Sequence, residues 1–303
     1  MADSLTESRI TYFFEAVRCG TIRAAADWLD VAPSAVSRQI TLLEKELDAP
    51  LIERHARGVT PTEAGQFVIQ YFREQRAHRE DLLSRLQELR GLRTGRVSVV
   101  LGEGFVSDML SGPMQHFCRQ YPNIKVNLDV GSTNDVVTKI AEDEGDIGLV
   151  YNPPNEPRIV SRAFRQQPMM AIVGTRMART IRRKSLTVQE LASYPIAATH
   201  ATYGTRQMLQ AVEFAEKITL ELAVTTNSIN IMKQFALSEL GIVVLPAFAV
   251  AGELKAGQLK AIPIEHPILQ NAEAHLVTRV GRTLSVASNK MLQMISSQMS
   301  AFR

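Results

Sequence analysis

The sequence predicts an α/β protein with an all-α-rich head, on three observations. Apolar residues recur at helical spacing through most of Met1–Pro61. A proline-free stretch with the same spacing follows, from Thr62 to about Arg90. Beyond Gly91, short β-branched runs alternate with helical segments, as they do when strands and helices build an α/β sheet. The expected domains are therefore 1–61, 62–90 and 91–303.

In the head, Ile10, Phe13, Phe14 and Val17 mark a first helix that ends at Cys19-Gly20. Thr21 suits the cap of a second helix carrying Ala24, Ala25, Trp28 and Leu29, whose alanines let another helix cross closely. Trp28, Phe13 and Phe14 are read as core. Asp30 and Val31 make a turn, and Pro33 suits the first turn of a third helix, where its missing N–H costs little. That helix buries Val36, Ile40, Leu43 and Leu47 and turns Ser34, Ser37, Arg38 and Thr41 outward. Leu51–Arg54, a turn over His55–Gly58, and Val59-Thr60 form a short hairpin, or wing. The head thus reads as a winged helix-turn-helix. Thr60 and Thr62 are alternative caps for the next helix. That long linker helix runs to about Arg90 and spans roughly 40 Å. Its apolar Ala64, Phe67, Val68, Tyr71, Phe72, Leu82, Leu83, Leu86 and Leu89 exceed what it can bury alone, which predicts pairing with its copy in a dimer.

Gly91–Gly95 reads as a hinge. Strand Val97–Leu101 then precedes a helix over Phe105–Gln120. Val126–Val130 precedes a helix over Thr133–Glu144, and Ile147–Val150 follows. Asn152–Pro157 breaks the rhythm. A second set has strands at Met170–Val173, Ile196–Ala198, Leu222–Thr225 and Ile242–Leu245. Glu265-His266-Pro267 breaks it again, before a strand at Ala274–Val277 and a helix over Leu284–Met299. The alternation predicts parallel sheets in two subdomains, I at about 95–160 plus 267–303 and II at about 161–266.

Composition bounds the function. The chain has 303 residues, 45% of them hydrophobic and 21% charged, as in globular proteins, and is too long for one ordinary core. No stretch approaches the ~20 apolar residues of a membrane span. Met1–Arg9 is polar, without the apolar core of a signal peptide, which predicts a cytoplasmic location. Cys19 and Cys118 are far apart and read as inert. The net charge is only +3, and Met1–Pro61 holds seven basic against nine acidic residues. Nucleic-acid binding therefore has to rest on where a few arginines point, not on bulk charge.

The stretch Phe13–Gly65 resembles the LysR-type transcriptional regulators. The resemblance is carried by Ala24-Ala25-Ala26, Leu29, Ala35-Val36-Ser37-Arg38-Gln39-Ile40, Leu43-Glu44, Glu46-Leu47, Pro50-Leu51, Glu53-Arg54 and Thr62-Glu63-Ala64-Gly65. Asp146–Leu149 and Gly241–Pro246 fall where that family has similar segments. The resemblance implies a DNA-binding head on a two-subdomain, periplasmic-binding-protein-like effector domain. It also implies double-stranded DNA with a dyad-symmetric operator, a small organic effector, and self-association to dimers or tetramers as partners, with RNA polymerase as a further one. It implies no cofactor and no membrane partner. Two positions depart from the pattern: Pro33, where a polar residue is frequent, and Asp48, where glycine is frequent.

In such a head the third helix enters the major groove with its N-terminal residues at base edges. Arg38 is the candidate for a bidentate guanine contact or a phosphate clamp, beside Pro33, Ser34, Ser37 and Thr41. Arg54 is a candidate phosphate clamp, with an ion pair to Glu53 or Glu44 as its alternative. Arg57 at the wing tip resembles the family's minor-groove residue. In the effector domain, ligands belong where strand ends meet helix N-termini. That selects Glu103, Gly104, Phe105, Ser132, Thr133, Tyr151, Asn152, Thr199, Thr202, Tyr203, Asn227 and Phe248, with Gly102, His200, Ala201 and Pro246-Ala247 beside them. Hydroxyls and free N–H groups suit an anion, with ordinary capping as the alternative for Ser132, Thr199 and Thr202. Glu103 would repel a carboxylate or recognise an amine, unless it merely caps its helix. The cluster Arg176, Arg179, Arg182, Arg183, Lys184 reads as a solvated face.

Two other classes are weighed. A transporter's solute-binding protein would have an export signal and no head of this kind. An enzyme would need a nucleophile–base or metal constellation, and His55, His78, His116, His200, His266 and His275 show no metal spacing. No cysteine pair stands in subdomain II, which argues against peroxide sensing by a disulfide.

Overall fold

The computed structural model describes residues 7–56, 58–89 and 95–303, the side chains of 80, 81, 84, 85 and 87–89 excepted. The chain divides into two compact units, Met1–Leu82 and Leu83–Arg303.

The first unit packs α1 (Glu7–Arg18), α2 (Ile22–Leu29) and α3 (Pro33–Leu47) around Ile10, Phe13, Ala16, Ala25, Ala26, Val36, Ile40 and Leu43. Thr21 caps α2, its Oγ1 accepting from Ala24 N at 3.0 Å. Asp30 and Asp48 end α2 and α3 in the left-handed conformation, at φ 55° and 50°. Trp28 is not core: it is 66% exposed, under the Arg18 guanidinium at 4.6 Å. The buried side of α2 is taken by Ala25 and Ala26, and Trp28 lies about 200° further round the helix than Ala26.

The wing is an antiparallel pair, β1 (Ile52–His55) and β2 (Gly58–Pro61). The Glu44 carboxylate, on α3, accepts from Leu51 N at 2.9 Å and Ile52 N at 3.3 Å, which fixes where the wing departs. At its far end Gly58 adopts φ 139°, and a Cβ there would stand 2.1 Å from Gly20 O. Glycine is required because Val59 N donates to that same carbonyl at 2.8 Å. The cap of α4 (Glu63–Leu89) is Thr62: its Oγ1 accepts from Gly65 N at 3.0 Å and donates to Pro50 O at 2.7 Å. Thr60 lies in β2 instead. The apolar residues of α4 split between two faces. Ile69 and Phe72 bury in the head core, with Phe72 5.2 Å from the Phe14 ring. Phe67, Tyr71, Leu82, Leu83 and Leu86 stay exposed. The expected hinge at Gly91–Gly95 falls, up to Thr94, outside the described residues, as do Arg90 and the Leu89 side chain.

In the second unit the chain runs β3 (Gly95–Leu101), α5 (Val106–Ser111), α6 (Pro113–Gln120), β4 (Ile124–Val130), α7 (Thr133–Ala141), β5 (Ile147–Tyr151) and β6 (Ile159–Gln166). It crosses to β7 (Met169–Gly174), α8 (Thr175–Ile181), α9 (Val188–Leu191), β8 (Ile196–Thr199), α10 (Gly204–Glu216), β9 (Leu222–Thr226), α11 (Ile229–Leu237), β10 (Ile242–Pro246), α12 (Ala251–Lys255) and β11 (Leu259–Pro263). It returns through α13 (Pro267–Gln270) to β12 (Glu273–Arg279) and α14 (Val286–Gln298). The two five-stranded sheets have the orders β4-β3-β5-β12-β6 and β11-β7-β10-β8-β9.

Three expectations need correction. The sheets are mixed: β12 is antiparallel to β5 and β6, and β7 to β10 and β11, while β3, β4, β5 and β8, β9, β10 pair in parallel. Strands β7 and β12 each follow a strand of the other sheet, so neither is joined to its own sheet by the strand–helix–strand crossover that makes parallel neighbours. The first subdomain extends past residue 160, because β6 pairs along its length with β12. The helix expected over Phe105–Gln120 is two helices, broken where Gly112 (φ −130°, ψ −93°) precedes Pro113. A buried network holds Asp146 at the start of β5: Arg282 donates to both Asp143 and Asp146, and Asp146 accepts from Ser98 N at 2.8 Å and Ser288 Oγ at 3.1 Å. The Asp146–Leu149 segment is thus structural.

Candidate functional site

On the head, helical spacing carries Pro33, Ser34, Arg38 and Thr41 to the exposed side of α3, with Ser37 half-buried beside them. Arg38 makes no hydrogen bond or ion pair with the described residues, so its five donors are free for an incoming acceptor. Arg54 leaves the wing strand and donates to Ser37 Oγ at 3.2 Å. Neither acidic alternative takes it: Glu44 is spent on the wing amides, and Glu53 lies 3.4 Å from His55. Ser37 Oγ accepts from Arg54, and its own proton remains available to donate. Thr41 turns its hydroxyl onto Ser37 O at 3.0 Å, which makes it a helix-internal contact. Arg57 lies outside the described residues. Elsewhere in the head arginines are paired with carboxylates, Arg9–Glu46 at 2.7 Å and Arg18–Glu15 at 2.6 Å. The α3 face itself carries arginine without a carboxylate partner.

In the second unit, a cleft between the two sheets' subdomains is lined by Glu103, Gly104, Phe105, Thr133, Tyr151, Tyr203 and Phe248, all anticipated, with Gly102, Pro246 and Ala249 around them; Ala247 does not line it. It narrows to a cavity of about 40 Å³, space for roughly three waters. Direct bonds across it account for the narrowing. Gly204 N, at the start of α10, donates to Thr133 Oγ1 at 2.7 Å, and Asn134 N donates to Thr202 O at 3.2 Å. Phe105 stacks on Phe248 with ring centroids 4.8 Å apart. Burial, with smaller contributions from the charges of Glu103 and Asp135, raises the Tyr203 hydroxyl above its ordinary pKa.

Glu103 reaches furthest. It stands on the short 3-10 turn after β3, in the first subdomain, and its carboxylate meets the first turn of α11, in the second. Ser228 Oγ donates to Oε1 at 3.1 Å, Ile229 N to Oε2 at 2.6 Å and Asn230 N to Oε1 at 3.1 Å. It therefore does cap a helix, but not its own, and it is half-buried there.

Other anticipated residues are engaged away from the cavity. Ser132 is buried and caps α7 in a capping box with Asp135, whose hydrogen bonds to Ser132 hold its carboxyl below the ordinary range. Thr199 Oγ1 bonds Thr205 Oγ1 at 2.9 Å. Asn152, at φ 46°, turns the chain out of β5 and donates its N–H to Glu273 O. Thr202 contributes its carbonyl, Asn227 its carbonyl to Tyr203 OH at 3.1 Å, and His200 is exposed. Val136, Val150, Gly204, Thr205, Ile229 and Leu245 line the cavity without having been anticipated. Ser228 and Asn230 hold Glu103 and were missed too; a serine ahead of an apolar helix was the available signal. Gly204 is needed because a Cβ there would fall 2.1 Å from Tyr151 O. Among the described residues, no group of three or more His, Cys, Asp or Glu is placed to hold a metal ion, and no helix is long and apolar enough to cross a membrane.

The comparisons with known proteins fit both halves. Residues 8–66 match the family described as "Bacterial regulatory helix-turn-helix protein, lysR family", and residues 90–300 match "LysR substrate binding domain". Among curated relatives, the chain is 24% identical over 283 residues to the HTH-type transcriptional activator CmpR of Synechocystis sp., covering 92% of this chain and 91% of that one. It is 28% identical over 291 residues to the HTH-type transcriptional regulator CbbR of Sinorhizobium medicae, covering 92% and 89%. Among solved structures, a full-length OxyR variant from Pseudomonas aeruginosa superposes with a TM-score of 0.72 at 17% identity, covering 99% and 97%. Full-length CbnR complexed with its target DNA does so with 0.58 at 16% identity, covering 97% and 100%. These likenesses to solved structures carry the fold. The family matches span most of the chain, and on them it belongs to the LysR family of bacterial transcriptional regulators, with a DNA-binding head and an effector-binding domain.

Proposed function

We propose that the chain binds a dyad-symmetric operator as a dimer and reads it through Ser34, Ser37 and Arg38 of α3. Pro33 sets the helix start, Arg54 and Arg57 are the backbone and minor-groove contacts, and a small organic anion in the cleft modulates binding. The single observation that supports the reading best is Arg38: exposed on α3, beside the Arg54–Ser37 bond, and without a partner among the described residues. No ion pair has to be broken before it meets a base edge or phosphate. Thr41 is held to the helix backbone and has the weakest case. One head buries too little surface for high specificity, and pairing doubles it. The exposed Phe67, Tyr71, Leu82 and Leu86 supply an apolar stripe on α4 for that pairing.

The relatives' names point to different operons, among them RuBisCO operons and SDS degradation, so the target and the effector's identity do not transfer from them. Arg38→Ala tests the reading. Affinity for the specific operator over a random duplex should fall by about 1–3 kcal/mol. Equal losses on both duplexes would make Arg38 a backbone contact only. Footprinting of the DNA upstream of the gene, with and without metabolites found by thermal shift, locates the operator and the effector.

A further inference from the structure

We propose that Glu103 is a built-in latch, a carboxylate of the chain's own that occupies the donor set at the start of α11 and holds the effector cleft shut until a ligand carboxylate takes its place. The proposal rests on the reading of this cleft as the effector site. Three donors converge on the two carboxylate oxygens at 2.6–3.1 Å, and all three belong to the opposite subdomain. Two of them are first-turn amides that have no partner within their helix, so with the cleft narrowed the carboxylate satisfies them in place of water. An ionised acceptor is favoured by the helix dipole and by charge-assisted hydrogen bonding. The remaining cavity of about 40 Å³ is far below the size of a small-molecule pocket. An organic effector can therefore enter only after the subdomains separate, and separation removes Glu103 from all three donors at once. A ligand that supplies its own carboxylate to Ser228, Ile229 and Asn230 offsets that loss; a neutral ligand does not. The acid at the cleft mouth thus selects for anions by exchange rather than excluding them by charge.

The test compares wild-type full-length protein with Glu103→Gln and Glu103→Ala, by amide hydrogen exchange. The amides to follow are Ile229 and Asn230, which Glu103 touches, and Asn134 and Gly204, which it does not. Glu103→Gln keeps the size and removes the charge; protection should fall by about ten- to a hundredfold at all four amides. Acetate should saturably restore protection in Glu103→Ala and leave wild type unchanged. Loss confined to Ile229 and Asn230, or an equal acetate response in wild type and variant, would overturn the latch and reduce Glu103 to a local cap. Operator binding by wild type, scored in parallel, separates this from the proposed function. Latch behaviour without operator binding would sink the function and leave the latch; operator binding with unchanged exchange would do the reverse.

Discussion

Gly204→Ala is a stringent test of the closed cleft. The added methyl carbon would stand 2.1 Å from Tyr151 O and 3.0 Å from Thr133 Oγ1. Tyr151 belongs to β5 and is paired in register with Ala274 of β12, so its carbonyl cannot swing aside. The start of α10 must instead withdraw by about 1 Å to reach a normal contact in a close-packed interior. That motion stretches two bonds across the cleft, Gly204 N to Thr133 Oγ1 at 2.7 Å and Asn134 N to Thr202 O at 3.2 Å. At about 0.5–1.5 kcal/mol each, their loss totals about 2 kcal/mol, or roughly thirtyfold in the opening equilibrium. A chain of two units need not unfold in one step, so a local readout is the right one. The assay is amide exchange at Asn134, where protection should fall by about that factor. Gly252→Ala is the control: nothing lies within 4 Å of its added carbon, and Asn134 should not respond. Unchanged Asn134 exchange in Gly204→Ala would show that the cleft opens without cost, and the packing argument would be wrong.

Other outcomes follow from the caps and from one histidine. Thr62→Ala removes the α4 cap and its bond to Pro50 O, and should destabilise the head by about 1–2 kcal/mol. The sole tryptophan, Trp28, lies in the head and reports that unfolding by fluorescence; a change below the error of the denaturation curve would count against the cap. Asp48→Gly relieves a left-handed aspartate at the end of α3 and should raise the head's stability by about 0.5–1 kcal/mol, read from the same curves; a loss would show that Asp48 has a role beyond its conformation. Burial holds the His275 pKa below its ordinary value, against the opposing pull of Glu273. The folded chain then binds fewer protons than the unfolded one as pH falls through 6.5. The contribution of His275 is present above that value and is lost as pH drops through the lower folded one. His275→Gln should flatten the fall of melting temperature between neutral and mildly acidic pH; an identical pH profile would rule His275 out as its source.

The head was legible because its signals are local. The apolar spacing of α1 and α3, Thr21, Pro33 and the wing turn each act within a few residues. Trp28 was misread because its helix buries alanine, and size was mistaken for the apolar face. In the effector domain the alternation of strands and helices was legible, but β6 was not: its residues are mostly exposed on a sheet edge, so Ile159–Gln166 has no apolar alternation to detect. Of the site residues, Glu103, Gly104, Phe105, Thr133, Tyr151, Tyr203 and Phe248 reached the cavity, while Asn152, Thr199 and Asn227, also at strand ends, did not. The hydroxyls of Ser132 and Thr199 suit a ligand or a local bond equally by sequence, and Asp135 and Thr205 take them. The partners of Glu103 are more than a hundred residues away along the chain, and no spacing rule reaches that far.

The return of the chain to its first sheet has a consequence for biosynthesis. Strand β12 sits between β5 and β6, although the whole second sheet is encoded between β6 and β12. On the ribosome, β7–β11 can assemble from one contiguous segment as soon as it emerges. Strand β6, already made, has no neighbour in its sheet until residues 273–279 arrive, and its edge must wait unpaired through the synthesis of the whole second subdomain. Nascent chains stalled or cut short before Glu273 should therefore carry a folded second subdomain and an open first one, a natural target for chaperones and proteases.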